Sequence, residues 1–280
     1  MKNSLWEIRR HPFSFLVRLL VYLAAAVTVA VLLFMIIFIV VNGVLYIKPS
    51  LFAWEYNSEN VSLMPALINT LIMTALCLLI ALPLGIFSAI YLVEYAKKGS
   101  KIVRVIRMTA ETLSGIPSII YGLFGFLFFC TAFGGYSLMA GTLTMVIMVL
   151  PLIMRTTEEA LISVPDMYRE ASFGLGAGKL RTIFRIILPA AVPGILSGVI
   201  LAIGRVVGET AALIYTAGTV AQVPDSLFQS GRTLAIHMYS LSREGMHMNE
   251  AYATAVILLV VVILINWVSD RIAKKLEKTS

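Results

Sequence analysis

Two charged residues lie within the fifth long apolar stretch of the chain, where charge is costly. Arg205 and Glu209 are separated from the ends of this stretch by apolar and small residues. An arginine at the centre of a membrane helix costs about 2.5–3.5 kcal/mol on insertion scales. Residues four apart on a helix lie on nearly the same face, so the two side chains can meet. Either they form a buried structural ion pair, or they line a path for a solute. The second interpretation is the usual one for ionisable residues in a membrane.

The side chains at this position suit an oxyanion. Arginine stays protonated and presents a planar fork that matches the oxygens of a tetrahedral anion. The Glu209 carboxylate can hold Arg205 in place, and it can accept a hydrogen bond from a protonated anion such as HPO₄²⁻. Sulfate carries no proton at neutral pH, so the same carboxylate would repel it. The hydroxyl groups of Thr210 and of Ser118, which follows Pro117 in another apolar stretch, are further candidates for this path.

A second candidate site is the basic segment that precedes the Arg205 stretch. Residues 163–166, Ser-Val-Pro-Asp, predict the start of a short helix. Three glycines, Gly174, Gly176 and Gly178, end it, and 179–187 can form a second helix. A helix, a glycine turn and a second helix make a compact projection that suits docking into a groove of a partner protein.

The composition indicates the kind of protein in which these residues lie. Of 280 residues, 59% are hydrophobic and 13% are charged. The mean hydropathy is +0.92. A soluble domain has about a quarter of its residues charged. These values exclude a soluble enzyme, a disordered chain and a disulfide-rich secreted module, and they predict an all-α polytopic membrane protein.

Apolar stretches without Asp, Glu, Lys or Arg predict six transmembrane helices. A bilayer core needs about 20 helical residues, so the longest stretch must turn back, and Gly134-Gly135 is the natural place. The predicted spans lie near 19–42, 64–93, 112–133, 136–154, 190–216 and 251–269. Of the 22 Lys and Arg residues, 18 lie on one side. The positive-inside rule therefore places both termini in the cytoplasm.

The predicted organisation is a single membrane domain. Residues 1–18 form a cytoplasmic N-terminal segment, 19–270 the six-span domain with the loop 155–189, and 271–280 a basic cytoplasmic tail. The first span is interpreted as an uncleaved anchor. The excess of basic residues is explained by topology, so nucleic acid is not expected as a partner.

Several catalytic and ligand-binding motifs are missing from the sequence. The segment from Gly174 to Leu180 resembles a Walker A loop, but it has one residue too few and Leu180 in place of Ser or Thr. We therefore expect no ATP, no metal and no other cofactor to be bound by this chain. The histidines form no metal-ligand pattern, and we expect all three, His11, His237 and His247, to be solvated loop residues.

The basic loop resembles the EAA loop of ABC importer membrane subunits. That pattern is Glu-Ala-Ala, three residues, Gly, nine residues and Ile-x-Leu-Pro, and every spacing matches. The matching residues are Glu170, Ala171, Ser172, Gly176, Leu188 and Pro189. Ser172 replaces alanine, a change from one small residue to another. The resemblance implies the ABC importer type I membrane-domain fold, with a cytoplasmic coupling helix between spans four and five that inserts into an ATPase subunit.

Three further segments, 115–125, 155–160 and 205–211, look like the permease subunits of the phosphate-specific ABC importer. The residues after Glu209 are closer to its A-type than to its C-type permease. This resemblance implies a heterodimer with a second homologous permease, a dimeric ATP-binding subunit that holds ATP and Mg²⁺, and an extracytoplasmic phosphate-binding protein. It also implies a bacterial or archaeal inner membrane, alternating access, and a role in transport for Arg205 and Glu209.

Other functions stay open at this point. An importer for another oxyanion or for phosphonate would carry the same coupling loop. An intramembrane enzyme built on Arg205 and Glu209 would have only Thr210 and Tyr215 as nucleophiles, with no activating base beyond Glu209. A sensory or scaffold protein would not explain a charged pair within a span. Copurification of an ATPase subunit would separate the importer from both.

Overall fold

The structure, a computed structural model, describes residues 12–97 and 99–277. The first helix, α1 (Pro12–Gly43), is followed by the short 3-10 turns Val44–Tyr46 and Pro49–Phe52. Next comes α2 (Met64–Ile90), which continues into a wider π turn, Tyr91–Tyr95. The helix α1 is apolar throughout, and none of its most apolar stretch is buried. It contacts the rest of the chain at its end, where Gly43 meets the backbone of Tyr252.

A sharp bend divides the next segment into two helices. They are α3 (Lys101–Ser114) and α4 (Ser118–Gly125), which continues through the wide turn Phe126–Cys130 to Phe133. Their axes differ by 101°. The bend falls at Gly115-Ile-Pro117, where proline cannot donate a helical hydrogen bond and restricts the residue before it.

The helix α5 (Leu138–Ser163) is the centre of the fold. Of its most apolar stretch 67% is buried, because α2 and α8 pack along it. Its start is capped by Ser137, whose hydroxyl oxygen accepts a hydrogen bond from the Ala140 N–H at 3.1 Å. Both glycines before it, Gly134 and Gly135, have positive φ, which confirms the predicted turn.

The remaining elements are short helices around two long ones. They are α6 (Asp166–Gly174), α7 (Lys179–Thr182) with the π turn Ile183–Ile187, α8 (Leu188–Gly208), α9 (Ala211–Ile214), α10 (Leu234–Glu244) and α11 (Met248–Glu277). The stretch from Lys179 to Gly208 is one continuous helix, so the second helix of the predicted projection and span five are a single element. The wide π turn ends just before Pro189, which has no backbone N–H to donate and lies in the first turn of α8.

The predicted number of spans agrees with these helices. Five of the described helices are long and apolar enough to cross a membrane, and the bent pair α3–α4 supplies a sixth. The predicted boundaries of span three were wrong, since residues 112–114 belong to α3 and the apolar part begins at Ser118. This part, Ser118–Phe133, is about 24 Å long, shorter than a bilayer core of about 30 Å. The domain boundaries at 18 and 270 stay predictions.

Two glycines of α8 allow it to approach α5 closely. A Cβ at Gly194 would lie 2.7 Å from the Cβ of Ala160. At Gly198 it would lie 2.6 Å from the Cβ of Thr156. Two later glycines on the same helix, Gly204 and Gly208, have open space at this position. The first G-x-x-x-G pair therefore packs helices within this chain, as expected for such a pair.

The contrast between Gly198, which is in close contact, and Gly204, which has open space, predicts opposite effects of an alanine substitution on stability. We expect Gly198→Ala to lower the melting temperature of the detergent-purified subunit, because overpacking costs about 1–3 kcal/mol and exceeds the helix-propensity gain of about 1 kcal/mol. The control, Gly204→Ala, has the gain without the clash and should leave the melting temperature equal or higher. Equal effects of the two substitutions would contradict the packing described here.

The expectation for the histidines was wrong for His237. This residue lies in α10 and is fully buried, with its ring in edge-on contact with Tyr56 at 6.1 Å between ring centroids. The guanidinium of Arg232 lies over the Tyr56 ring, 4.6 Å from its centroid. The histidine is buried because α10 turns this face toward the chain before α2. By contrast His247 is half-buried with Nδ1 3.8 Å from a Glu250 oxygen, and His11 lies outside the described residues.

The buried histidine predicts a loss of stability in acid. Burial lowers the pKa of His237, which lies outside the spanning helices, to about 3, and the Arg232 charge acts in the same direction. An unfolded histidine has a pKa of about 6.5, so below that pH the unfolded state binds a proton that the folded state does not. Stability is therefore full above about pH 6.5 and falls as the pH drops toward 3. We expect the melting temperature to fall between about pH 7 and pH 5, and less so in His237→Phe. An equal fall in both proteins would contradict this explanation.

Candidate solute path and coupling loop

The structure places Arg205 in the last turn of α8, nearer the helix end than the sequence predicts. Its side chain is half-buried, and among residues 12–97 and 99–277 its guanidinium forms no hydrogen bond or ion pair. It interacts electrostatically with Tyr121 of α4. The negative end of the helix dipole stabilises a cation at this position, which reduces the cost of placing it in the membrane.

The predicted contact between Arg205 and Glu209 does not form. The helix α8 ends at Gly208, and Glu209 has extended backbone angles (φ −71°, ψ 131°), so the two residues do not share a helical face. Instead a carboxylate oxygen of Glu209 accepts a hydrogen bond from the Ala212 N–H at 3.0 Å. The free backbone donors at the start of α9 attract the carboxylate because the first N–H groups of a helix have no partner within the helix.

The other two predicted path residues belong to the two segments that meet where α9 contacts α4. Thr210 stands immediately before α9, and Ser118 is the first residue of α4. The two helices touch through Gly122, at which a Cβ would lie 2.8 Å from the Ala212 Cα and 3.0 Å from its carbonyl oxygen. The segment after α8 thus turns back against α4, and Thr210 lies two residues before the contact at Ala212.

A cavity of about 610 Å³ opens beside Thr210. Its walls come from α1, α4, α9, α10 and α11, and they are mainly apolar. The polar groups that line it include Thr210, Tyr215, Tyr239 and Arg243. Ile119, the neighbour of Ser118, also lines it, so two of the four predicted path residues lie in or beside one cavity.

One face of α8 is left uncovered by this chain. Its exposed residues follow a helical stripe of mostly small side chains, Ala190, Pro193, Ser197, Leu201 and Gly208, with Gly194 at the edge that contacts α5. Arg205 lies beside this stripe, between Leu201 and Gly208 and next to Gly204, where a Cβ would meet nothing within 4 Å. Small residues permit close approach of another helix in a membrane. The free guanidinium therefore borders a surface that other molecules can reach.

The basic loop has the predicted helix–turn–helix form. The helix α6 begins at Asp166 after Pro165, and Gly176 has φ +82° in the turn. The Ser172 hydroxyl is buried and lies 2.8 Å from that of Thr182, so it ties α6 to α7.

The six residues of the loop motif divide by exposure. Glu170 and Ala171 are exposed on α6 and available to a partner, and Gly176 is exposed in the turn. Leu188 and Pro189 are half-buried where the helix enters span five, while Ser172 is buried. The motif thus presents one face outward and uses the rest to hold the loop together.

Three residues of these sites were not singled out from the sequence. Tyr121 donates a hydrogen bond from its hydroxyl to the Leu113 carbonyl at 2.7 Å and so ties α4 to α3 across their bend. Glu94 and Arg169 form a largely buried ion pair between the π turn at the end of α2 and α6. An acidic residue at the end of an apolar span was the available signal for Glu94, but its partner lies 75 residues away along the chain.

The family model for the "binding-protein-dependent transport system inner membrane component" matches residues 81–279. This range contains α3 to α11, the basic loop and every predicted site residue. The chain belongs to this family. It is therefore a multi-pass inner-membrane transport subunit.

Curated relatives extend this permease assignment over most of the chain. A probable ABC transporter permease, YqgI of Bacillus subtilis, is 33% identical over 282 aligned residues, which cover 91% of this permease and 94% of YqgI. The phosphate transport system permease protein PstA 1 of Mycobacterium tuberculosis is 38% identical over 205 residues, covering 72% of this permease and 67% of PstA 1.

Solved structures agree on the fold. A subunit of the MetNI methionine ABC transporter, in an inward-facing conformation, matches with a TM-score of 0.60 and 22% identity, covering 76% of this permease and 93% of that chain. A subunit of a bacterial alginate ABC transporter matches with a TM-score of 0.65 and 16% identity, covering 99% of each chain. The predicted all-α ABC importer type I membrane fold is confirmed, and the described helices supply five spans, or six when the bent pair α3–α4 is counted as one.

Proposed function

We propose that this permease moves inorganic phosphate inward through the membrane and that Arg205 binds the anion on its path. The observation that carries this proposal is the guanidinium of Arg205, which is half-buried in a spanning helix and has no hydrogen-bond or ion-pair partner among the described residues. A membrane protein retains such a charge where it has a function. The name of the relative PstA 1 supports phosphate as the anion.

Together with Arg205, the other predicted path residues would recognise a protonated oxyanion. One oxygen of Glu209 caps α9, and its other oxygen makes no hydrogen bond within the described ranges, so it is available to accept a proton-bearing oxygen of phosphate. The hydroxyls of Thr210 and Ser118 would supply further hydrogen bonds as the anion passes along α4. Another oxyanion or a phosphonate is the alternative substrate for the same arrangement.

The proposed function requires three kinds of partner subunit. A second homologous permease would cover the small-residue face of α8 and close the path on its other side. A dimeric ATPase, holding ATP and Mg²⁺, would receive α6 at the cytoplasmic surface, and a phosphate-binding protein would dock on the outer side. Both termini would then be cytoplasmic, as the positive-inside rule requires. Alternating access of the two permeases would carry phosphate inward while the chain itself performs no catalysis.

Uptake by the reconstituted complex tests this proposal. Proteoliposomes that contain all subunits, with the binding protein outside and ATP inside, should accumulate labelled phosphate and exclude sulfate. In Glu209→Gln the repulsion of an unprotonated anion is removed, so the preference for phosphate over sulfate should fall by about tenfold. A complex that hydrolyses ATP without importing phosphate would refute the substrate, and an unchanged preference in Glu209→Gln would refute the role of that carboxylate.

A further inference from the structure

The side chain of Arg169 uses all five of its N–H donors. Its Nε and Nη2 both donate to one carboxylate oxygen of Glu94, at 3.0 and 2.8 Å. A second bond from Nη2 reaches the Leu161 carbonyl at 3.0 Å. Its Nη1 donates to the Val164 carbonyl at 2.9 Å and to an Asp166 oxygen at 3.2 Å. An arginine with every donor satisfied is held in one orientation.

These bonds join three elements at the base of the bundle. Arg169 itself belongs to α6, the proposed docking helix. The Leu161 carbonyl belongs to the last turn of α5 and that of Val164 to the residue directly after it, and Glu94 lies in the π turn that ends α2. A second contact parallels this one, since the Lys179 ammonium lies 4.7 Å from the centroid of the Tyr95 ring in the same turn.

Burial distinguishes the contact between elements from the contact within α6. The Arg169 and Glu94 side chains are 15% and 9% exposed, whereas that of Asp166 is 77% exposed. An ion pair away from water is little screened, and breaking it leaves an uncompensated charge. The pair with Asp166 is an exposed i,i+3 contact and contributes little.

The two long helices reached by Arg169 are themselves packed tightly together. Gly85 of α2 meets Ile153 of α5, where a Cβ would lie 2.6 Å from a methyl group. Further along, Met73 and Cys77 of α2 pack with Met145 and Val149 of α5 in the main core. A displacement of α6 that moves Arg169 therefore reaches both central helices at once.

We infer that Arg169 and Glu94 are positioning residues that make α6, α5 and the end of α2 move as one body when an ATPase displaces α6. This inference deepens the proposed function and rests on it, since α6 is the element that would receive the ATPase. The buried ion pair transmits the displacement, and the exposed contact with Asp166 does not. Neither residue touches solute or ATP.

Transport per ATP hydrolysed is the measurement that separates this role from simple stabilisation. In the reconstituted complex, Glu94→Gln and Arg169→Lys should lower the phosphate imported per ATP by about tenfold, within the range typical of coupling between two sites. ATPase subunits should still bind, because the exposed residues of α6 are unchanged. The matched control is Asp166→Asn, which removes the other carboxylate from the same guanidinium and should change the ratio less than about twofold.

A distance measurement tests the same connection between α6 and the end of α2 without any transported solute. Spin labels at Lys97 and Met167, both exposed, would be placed in full complexes whose buried Cys77 and Cys130 are replaced by alanine. The distance between the labels should stay the same with and without trapped nucleotide, and it should broaden in Glu94→Gln.

Three results would overturn or preserve this inference in distinguishable ways. A wild-type ratio in Glu94→Gln, or a label distance that changes with nucleotide in the otherwise native complex, would overturn it. A third result would separate the two proposals. If the wild type imports no phosphate, but the distance between the labels is constant in it and the distance distribution broadens in Glu94→Gln, the proposed substrate fails and the rigid connection through Arg169 and Glu94 stands.

Discussion

Replacing Arg205 with glutamine is expected to reduce phosphate uptake by about 100-fold in proteoliposomes that contain the complete complex. Hydrogen bonds to charged groups contribute about 1.5–3 kcal/mol each, so losing a charged pair of donors costs about 3 kcal/mol, which corresponds to this factor. Glutamine keeps a polar head but cannot compensate the charge of an anion that has left water. Because the guanidinium forms no hydrogen bond or ion pair within the described chain, its removal leaves no internal partner unsatisfied.

Two further variants show whether the loss of uptake is specific to the guanidinium of Arg205. Arg205→Lys keeps the charge but loses the planar fork, so its uptake should lie between that of the wild type and of the glutamine variant. Arg104→Gln removes an equal charge from the exposed surface of α3 and should leave uptake within about twofold. ATP hydrolysis and subunit composition must be measured for each complex. Normal uptake in an assembled Arg205→Gln complex would show that the arginine is structural.

The basic loop is a feature that local sequence patterns predict correctly. The proline before Asp166 and the glycines after Phe173 specify where α6 begins and ends, and the structure agrees with both. The turn at Gly134 and the helix packing at Gly194 and Gly198 follow from equally local properties of glycine. Each of these features depends on residues close together in the chain, so composition and spacing were sufficient to predict it.

The region after Arg205 was not predicted correctly by such local patterns. Apolarity alone made span five appear continuous to residue 216, whereas α8 ends at Gly208 and the chain turns back as α9. Apolar content does not distinguish a straight helix from a broken one, because both segments avoid water. The break depends on a cap from Glu209 and on space at Gly122, contacts that no periodicity encodes. The buried pair of Glu94 and Arg169 was missed for the same reason.

This dependence on Gly122 gives the second large expected effect. Gly122→Ala should reduce phosphate uptake by at least about tenfold, because the new Cβ would lie 2.8 Å from the Ala212 Cα and 3.0 Å from the Ala212 oxygen. Both atoms belong to the backbone, so no side-chain rotation relieves the contact and α9 must move away from α4. That movement displaces Thr210 and the Glu209 cap together, while Arg205 stays on α8.

A matched glycine in the same segment distinguishes displacement of α9 from a general loss of the fold. At Gly115 a Cβ would be 3.5 Å from the Thr112 oxygen, an ordinary contact, so Gly115→Ala should import phosphate within about twofold of the wild type. If Gly122→Ala assembles, hydrolyses ATP and imports normally, then α9 does not position the path. If it assembles but fails to import, while Gly115→Ala does import, the close approach of α4 and α9 is what holds Thr210 and Glu209 beside the anion bound at Arg205.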